Sequence, residues 1–117
     1  MRTSAKKSSP RHPSEGRAAW WYRLRGYRVL ARNAWASGYE LDLVVRRGRV
    51  VAFVEVKSKA GGGFGDPLEM VTPVKVERLR RAAEGWLAAH PEARGLPIRF
   101  DVVAERARRL EVVQDAF

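Results

Sequence analysis

The chain of 117 residues carries 23 lysines and arginines against 13 acidic residues, a formal charge of +10. Its length fits one domain, its 45% hydrophobic content is enough for a buried core, and its lack of cysteine excludes disulfides, thiolate zinc sites and thiol nucleophiles. No apolar run approaches the roughly 18 residues of a membrane span, and the basic N-terminus lacks the apolar stretch of a signal peptide, so we expect a cytoplasmic protein.

The basic residues are not confined to one end of the chain. Residues 1–13 are rich in Ser, Lys, Arg and Pro and predict a disordered basic tail, which a single domain over residues 14–117 follows. The tail holds four basic residues and no acid, so the domain alone still carries +6. A basic domain favours a polyanionic partner, most simply nucleic acid. The alternative is an arginine-rich genome composition, because Arg greatly outnumbers Lys.

The patterns along the chain predict the order α-β-β-β-α-β-β, an α/β domain in which helices flank a mixed sheet. The first helix begins near Ser14 and ends before Gly26, and the second lies between its Thr72 cap and His90. Alternating or continuous apolar residues predict strands over residues 27–32, 39–46, 50–57, 98–104 and 110–113. A tight turn at residues 47–48 joins the second and third strands.

Two segments between these elements are predicted loops. Residues 33–38 form the first, and residues 60–66, with three consecutive glycines, form a flexible second one.

Charged residues interrupt two of the apolar strands: Asp42 in the second strand, Glu55 and Lys57 in the third. Charges in such positions cost free energy unless they are paired or serve chemistry. Counting outward from the turn places Asp42 level with about Phe53, and Glu40 level with about Glu55, within a shift of a residue or two. The acids of the two strands are therefore expected to lie near each other.

Carboxylates close together with a neighbouring cation point to a divalent-metal site. Hard cations such as Mg²⁺ take oxygen ligands and keep several waters, so Asp42, Glu55 and the main-chain carbonyl of Val56 are the predicted ligands of Mg²⁺ or Mn²⁺. Lys57 is predicted to orient or deprotonate the attacking water, or to stabilise developing negative charge. Glu15 on the first helix is expected to reach the site directly or through water. The alternative is a structural cluster of ion pairs.

Other charged residues have less specific expectations. Glu40 is either a further metal ligand or an exposed strand charge. Lys75, Arg78 and Arg81 share one face of the second helix and are the predicted nucleic-acid contacts, with solvated charges as the alternative. Asp101 is expected to pair with an arginine or cap a turn rather than take part in catalysis.

Aromatic residues and a histidine of the helices have structural expectations. Trp20 and Trp21 are adjacent on a helix and cannot both face one core. The second ring is expected to be partly buried against the tail or a strand, and its exposure for base stacking or for a partner surface is the alternative. His90 is expected to cap the second helix.

Asp42 followed by Glu55-Val56-Lys57, after a helix that bears Glu15, resembles the PD-(D/E)XK nuclease superfamily, which includes type II restriction enzymes and archaeal Holliday-junction resolvases. Residues 15–117 are more closely similar to the YraN-like family of small bacterial proteins. One departure is Tyr39, which is inserted into the family's Gly-Glu-Ile-Asp pattern. The similarity is carried by these ordered motifs: Gly26-Tyr27 with Leu30 and Arg32-Asn33, Gly38-Tyr39-Glu40-Leu41-Asp42-Leu43, Phe53-Val54-Glu55-Val56-Lys57, Phe64-Gly65-Asp66-Pro67, Lys75 with Leu79, Arg99-Phe100-Asp101-Val102-Val103, and Ala116-Phe117.

The resemblance implies a restriction-endonuclease-like fold and a Mg²⁺- or Mn²⁺-dependent endonuclease that hydrolyses DNA phosphodiesters. It favours DNA over RNA, and it suggests branched or repair intermediates as substrates and a homodimer as the working form. Two alternatives stay open. One is a non-catalytic nucleic-acid-binding module on the same fold. The other is an interaction protein of a larger complex, which an exposed apolar patch near Trp20 or Trp21 would favour.

Overall fold

Two helices and five strands follow one another along the chain: α1 (Pro13–Arg23), β1 (Arg28–Ala36), β2 (Tyr39–Arg47), β3 (Val50–Lys59), α2 (Pro73–Ala89), a short 3₁₀ turn (Pro91–Ala93), β4 (Ile98–Arg106) and β5 (Arg109–Val113). The strands form one mixed sheet in the order β1-β2-β3-β4-β5, and the two helices cover its faces. Strands β3 and β4 run parallel, with α2 and the 3₁₀ turn between them, and the other neighbours are antiparallel. The predicted α/β order is therefore confirmed, and it is consistent with a restriction-endonuclease-like domain.

The computed structural model describes residues 13–59, 71–106 and 109–117, and for residues 13–15 and 58–59 it describes the backbone alone. The predicted tail (except Pro13), the glycine-rich loop over residues 60–66 and the motif over residues 64–67 lie outside the described residues. Neither described helix combines the length and the apolar character needed to cross a lipid bilayer.

Both faces of the central strands are buried, each under one helix. Helix α1 packs its alanines and Tyr22 over Leu43 and Val54. Helix α2 packs on the opposite face, where Trp86 meets the ring of Phe53 edge to face at 5.8 Å between centroids. Strands that are buried on both faces have nearly continuous apolar sequences, which explains the apolar character of β2 and β3.

Helix α2 begins and ends where the sequence predicts. The Oγ1 of Thr72 accepts a hydrogen bond from the Lys75 backbone N–H at 3.2 Å, and Pro73 occupies the first turn. At the other end, His90 caps the helix: its Nδ1 lies 2.7 Å from the Trp86 carbonyl, and the two rings stack.

Strand β1 corrects one prediction: the expected loop over residues 33–38 is mostly strand. Asn33 has a φ of +53°, a left-handed conformation that Asn tolerates better than most residues, and the pairing of β1 with β2 continues in the same register on both sides of it. The turn itself consists of Ser37 and Gly38, both with positive φ, as a two-residue hairpin turn requires.

This hairpin turn also packs against α2. A Cβ atom added to Gly85 would overlap the Ser37 hydroxyl and lie 3.2 Å from the Ser37 nitrogen. Glycine inside a helix costs about 1 kcal/mol relative to alanine. The contact therefore explains why a glycine stands in the middle of α2.

A buried polar network ties α1 to β4 and to the C-terminal segment. The Asp101 carboxylate is fully buried and accepts bonds from the Tyr22 hydroxyl at 2.6 Å and from the Asp115 N–H at 3.0 Å. The Arg99 guanidinium donates two more bonds to it, at 2.8 and 2.9 Å, and a third to the Tyr27 hydroxyl. The predicted pairing of Asp101 with an arginine is confirmed, and its role is to hold three elements together.

Candidate metal centre and nucleic-acid interface

The second and third strands separate beside Asp42. Their regular pairing runs from Arg47–Val50 to Leu43–Val54, and continuing it by one step would set Asp42 opposite Glu55. At that step the Asp42 carboxylate accepts a hydrogen bond from the Val56 backbone N–H at 2.8 Å. The Asp42 carboxylate thus accepts the hydrogen bond that a main-chain carbonyl of β2 would accept in a regular pair. This bond holds the carboxylate next to Glu55 on β3.

The observed register differs from the predicted one by two residues. We expected Asp42 to lie level with Phe53, but the turn residues are Gly48 and Arg49 instead of 47 and 48. Gly48 occupies the first turn position with a φ of +61°, which glycine adopts without strain. Moving the turn by one residue moves every cross-strand partner by two, and the shift brings Asp42 closer to Glu55 than expected.

The carbonyl of Val56 is also directed toward this gap. In an antiparallel pair, the N–H and C=O of one residue point to the same neighbouring strand. Because the Val56 N–H points to Asp42 on β2, its carbonyl faces the same side. Asp42 and Glu55 both lie near Lys57, and the Val56 carbonyl is on the side of β3 that faces Asp42.

Two lysines approach these acids from β3 and from α2. The Nζ of Lys57 lies 2.9 Å from Oε2 of Glu55, and both side chains are mostly buried. Lys75, in the first turn of α2, comes within hydrogen-bonding reach of Lys57. The site therefore combines two carboxylates and two amines, and α2 delivers the second amine.

The two lysines differ in their electrostatic state. Burial lowers the pKa of Lys57, but the hydrogen bonds with Lys75 and Glu55 and the charges of both acids outweigh it, so the pKa is raised. The hydrogen bond with Lys57, followed by burial, lowers the pKa of Lys75. Lys57 therefore holds its proton more tightly than Lys75 does.

The donor set fits a hard cation that keeps most of its waters. Among the described side chains, which do not include that of Glu15, no three of His, Cys, Asp or Glu gather to hold a metal ion. Two carboxylates and one carbonyl leave the remaining positions of an octahedral Mg²⁺ to water or substrate oxygens. Such a site binds weakly without substrate, which is common for Mg²⁺.

The other predicted ligands lie at the margin of this set. Glu40 is exposed on β2, opposite Trp35 on β1. Glu15 lies in the first turn of α1 as predicted, but its side chain is outside the described residues.

The predicted nucleic-acid face of α2 divides into three environments. Lys75 joins the acidic pair. Arg78 is exposed and lies over the ring of Tyr39, 5.7 Å from its centroid, beside the β1–β2 hairpin. Arg81 is exposed and pairs with Glu77 at 2.8 Å; an exposed pair of this kind is weak because water screens it, so Arg81 stays available to contact phosphate.

Exposed tryptophans include one that sequence reasoning missed. Trp21 packs against the core and Trp20 is 59% exposed, so the two rings do not share one core, as expected, and Trp20 takes the alternative of an exposed ring. Trp35 is 71% exposed, and no expectation was attached to it because its segment was predicted to be a loop. The Ser37-Gly38 dipeptide could have indicated the exposed position, because it is typical of a hairpin turn and a strand that leads into this turn contains Trp35.

Sequence comparison assigns the chain to a family. Residues 14–104 match the family described as Uncharacterised protein family UPF0102. The chain belongs to UPF0102. The resemblance to the YraN-like family is thereby confirmed, and the matched UPF0102 region contains both acids and both lysines of the site.

Relatives in UPF0102 cover most of the chain. A UPF0102 protein of Shewanella amazonensis is 41% identical over 109 residues, 93% of this chain and 99% of the relative. One from Paramagnetospirillum magneticum is 46% identical over 101 residues, 83% of this chain and 77% of the relative. One from Bradyrhizobium diazoefficiens is 42% identical over 97 residues, 83% of this chain and 71% of the relative. The description of UPF0102 states no activity, so the function must be argued from the site.

Proposed function

We propose that this protein binds nucleic acid and hydrolyses DNA phosphodiesters with the help of Mg²⁺ or Mn²⁺. The observation that carries the proposal is the hydrogen bond from Val56 N–H to Asp42, because it sets Asp42 beside the Glu55–Lys57 pair. Asp…Glu-X-Lys on separated strand ends is the pattern of the PD-(D/E)XK nucleases, to which we assign the chain as part of this proposal. The charge of +10 supports a polyanionic substrate.

Each residue of the site has a role in this proposal. Asp42, Glu55 and the Val56 carbonyl would hold the ion, with Glu15 and Glu40 as further carboxylates within the proposal. When bound, Mg²⁺ supplies a more acidic water and offsets charge on the scissile phosphate. Lys57 carries its positive charge beside Glu55, where it can orient the attacking water or stabilise the developing negative charge.

Lys75, Arg78 and Arg81 form the proposed contact with the phosphate backbone. Lys75 is adjacent to the site, and the two arginines extend from it along exposed positions of α2. Because phosphate contacts position a nucleic acid without reading its sequence, this face would fix the backbone relative to the acids. We propose the cytoplasm as the compartment, branched or repair intermediates as substrates, and a homodimer as the form that cuts two strands.

A non-catalytic nucleic-acid-binding module is the second candidate. The balance of two carboxylates against two lysines favours it, since the acids are already neutralised without a metal. A third candidate, an interaction protein of a larger complex, is favoured by the exposed side chains of Trp20 on α1 and of Leu24 directly after this helix.

Cleavage of a labelled panel of duplex, single strand, flap, four-way junction and RNA, with Mg²⁺ or Mn²⁺, tests the proposal. Wild type is compared with Glu55→Gln and Lys57→Ala, and with Glu84→Gln as a control for loss of one exposed acid. We expect metal-dependent cutting that both site variants abolish and the control retains. No cutting, or cutting that survives both site variants, would overturn the catalytic proposal. Salt-sensitive binding without cutting would identify the binding module instead.

A further inference from the structure

Five arginines gather at the end of the sheet where the β2–β3 turn lies. Arg46 and Arg47 end β2, Arg49 is in the turn, Arg28 begins β1, and Arg25 follows α1 by two residues. We call this group the arginine end. Four of its side chains are exposed, and that of Arg46 is partly exposed. The group therefore presents several positive charges to solvent at one end of the domain.

Aromatic rings and main-chain carbonyls hold two of these guanidinium groups in place. The guanidinium of Arg25 lies over Trp21, 3.8 Å from the ring centroid, and donates a bond to the Trp21 carbonyl at 3.0 Å. That of Arg47 lies over Tyr27 at 4.7 Å and donates a bond to the Arg25 carbonyl at 3.0 Å. A guanidinium carries five N–H donors, so both arginines keep donors for phosphate oxygens. Because the two groups are already positioned, less side-chain freedom is lost when they bind.

The described carboxylates do not neutralise the arginine end. Every ion pair between described side chains involves other basic residues. Arg28 and Arg46 are direct cross-strand partners on β1 and β2. Like charges in directly opposite positions destabilise a sheet. An external polyanion would supply the counter-charge and relieve this repulsion.

The arginine end is separate from the candidate metal centre. Arg47 and Asp42 are five residues apart on β2, which places their Cα atoms about 17 Å from each other. Successive phosphates of one strand of B-DNA are about 3.4 Å apart along the helix axis. A nucleic acid that contacts both places therefore extends at least about five nucleotides beyond the phosphate at the metal centre.

We propose that the arginine end is a second nucleic-acid-binding surface, which contacts backbone phosphates of the substrate at a distance from the scissile one. The closely spaced phosphates of a nucleic acid can engage several guanidinium groups at once, and arginine binds phosphate in a bidentate manner. A second copy of the chain would instead bring the same positive charges to this surface. The inference rests on the nucleic-acid binding of the proposed function and adds the extent of the substrate.

The test measures binding of a fluorescein-labelled duplex, longer than this span, by anisotropy over a range of salt concentrations, in EDTA so that nothing is cut. Arg28→Gln and Arg49→Gln should each weaken binding and reduce the slope of log affinity against log salt concentration by about 0.9, the share of one phosphate contact. Arg49→Lys keeps the charge and should keep the slope. Arg109→Gln is the matched control, because Arg109 is also an exposed arginine but lies on β5, at the opposite edge of the sheet. It should bind with the slope of wild type.

Crosslinking supplies a second readout. Because the chain contains no cysteine, a thiol-reactive photo-crosslinker can be attached at one position only, in Arg49→Cys or, as the control, in Arg109→Cys. The duplex should crosslink to the first protein and far less to the second.

Wild-type slopes in both Arg28→Gln and Arg49→Gln, or equal crosslinking of the two labelled proteins, would overturn the inference while leaving the nuclease proposal intact. Binding to phosphatidylserine vesicles that Arg49→Gln abolishes, with duplex binding unchanged, would also overturn it, by assigning the arginine end to a membrane surface. A wild type that binds duplex with the expected slopes but cuts nothing would support the inference and refute the catalytic part of the proposed function. A wild type that binds no nucleic acid would refute both.

Discussion

Replacing Asp42 by Asn and by Ala should separate its structural role from its chemical one. The carboxylate accepts the Val56 N–H at 2.8 Å in a partly buried position. A hydrogen bond to a charged group contributes about 1.5–3 kcal/mol and a neutral one about 1 kcal/mol. The amide oxygen of Asn keeps the neutral bond, so Asp42→Asn should cost about 1 kcal/mol, whereas Asp42→Ala leaves the N–H without this acceptor and should cost about 2–3 kcal/mol.

Urea unfolding followed by circular dichroism measures these free energies, with Glu40→Gln as the control for an exposed acid on the same strand. We expect the two Asp42 variants to lose metal-dependent cleavage equally while differing in stability by more than about 1 kcal/mol. Equal free energies of unfolding for Asp42→Asn and Asp42→Ala would refute the conclusion that the hydrogen bond from Val56 N–H holds the Asp42 carboxylate in position. Retained cleavage in Asp42→Asn would refute its role as a metal ligand.

Three further predictions concern the core and the α2 face. Tyr22→Phe removes one donor from the buried Asp101 carboxylate and should lower the free energy of unfolding by about 1.5–3 kcal/mol in urea titrations; a loss below about 0.5 kcal/mol would contradict the network. Gly85→Ala, although favoured by helix propensity, should lower the melting temperature because the added methyl collides with the β1–β2 turn, and an unchanged or higher value would contradict that contact. Lys75→Ala and Arg78→Ala should each weaken duplex binding and lower the slope of log affinity against log salt concentration by about the share of one phosphate contact. An unchanged slope would mean that the nucleic acid binds at another surface.

The sequence was enough to predict the element order, which follows from local patterns, and the proximity of Asp42, Glu55 and Lys57, which follows from the short turn between their strands. Asp42, Glu55 and Lys57 stood out as charges in strands that are otherwise apolar on both faces. The partner of Asp42 was wrong by two residues, since the choice between Arg47 and Gly48 as first turn residue depends on backbone twist, which the pattern of apolar residues does not encode.

Features that depend on the docking of separate elements could not be predicted. The approach of Lys75 to Lys57 requires that the first turn of α2 lie over the end of β3, and these lysines are 18 positions apart in the sequence. The Tyr22–Asp101 bond joins residues from opposite ends of the chain. The strand character of residues 33–36 was hidden by Asn33, because an asparagine before a glycine-containing segment usually marks a loop.

The left-handed conformation of Asn33 has a consequence for how the protein avoids self-association. Strand β1 ends the sheet, and a flat outer strand offers a template on which another molecule can add its own strand. The left-handed residue interrupts that template, and the exposed Arg28 and Arg32 place positive charge along it, where a second copy would bring the same charges. Asn33, which led sequence analysis to predict a loop here, thus helps to protect the edge strand against aggregation with a second copy.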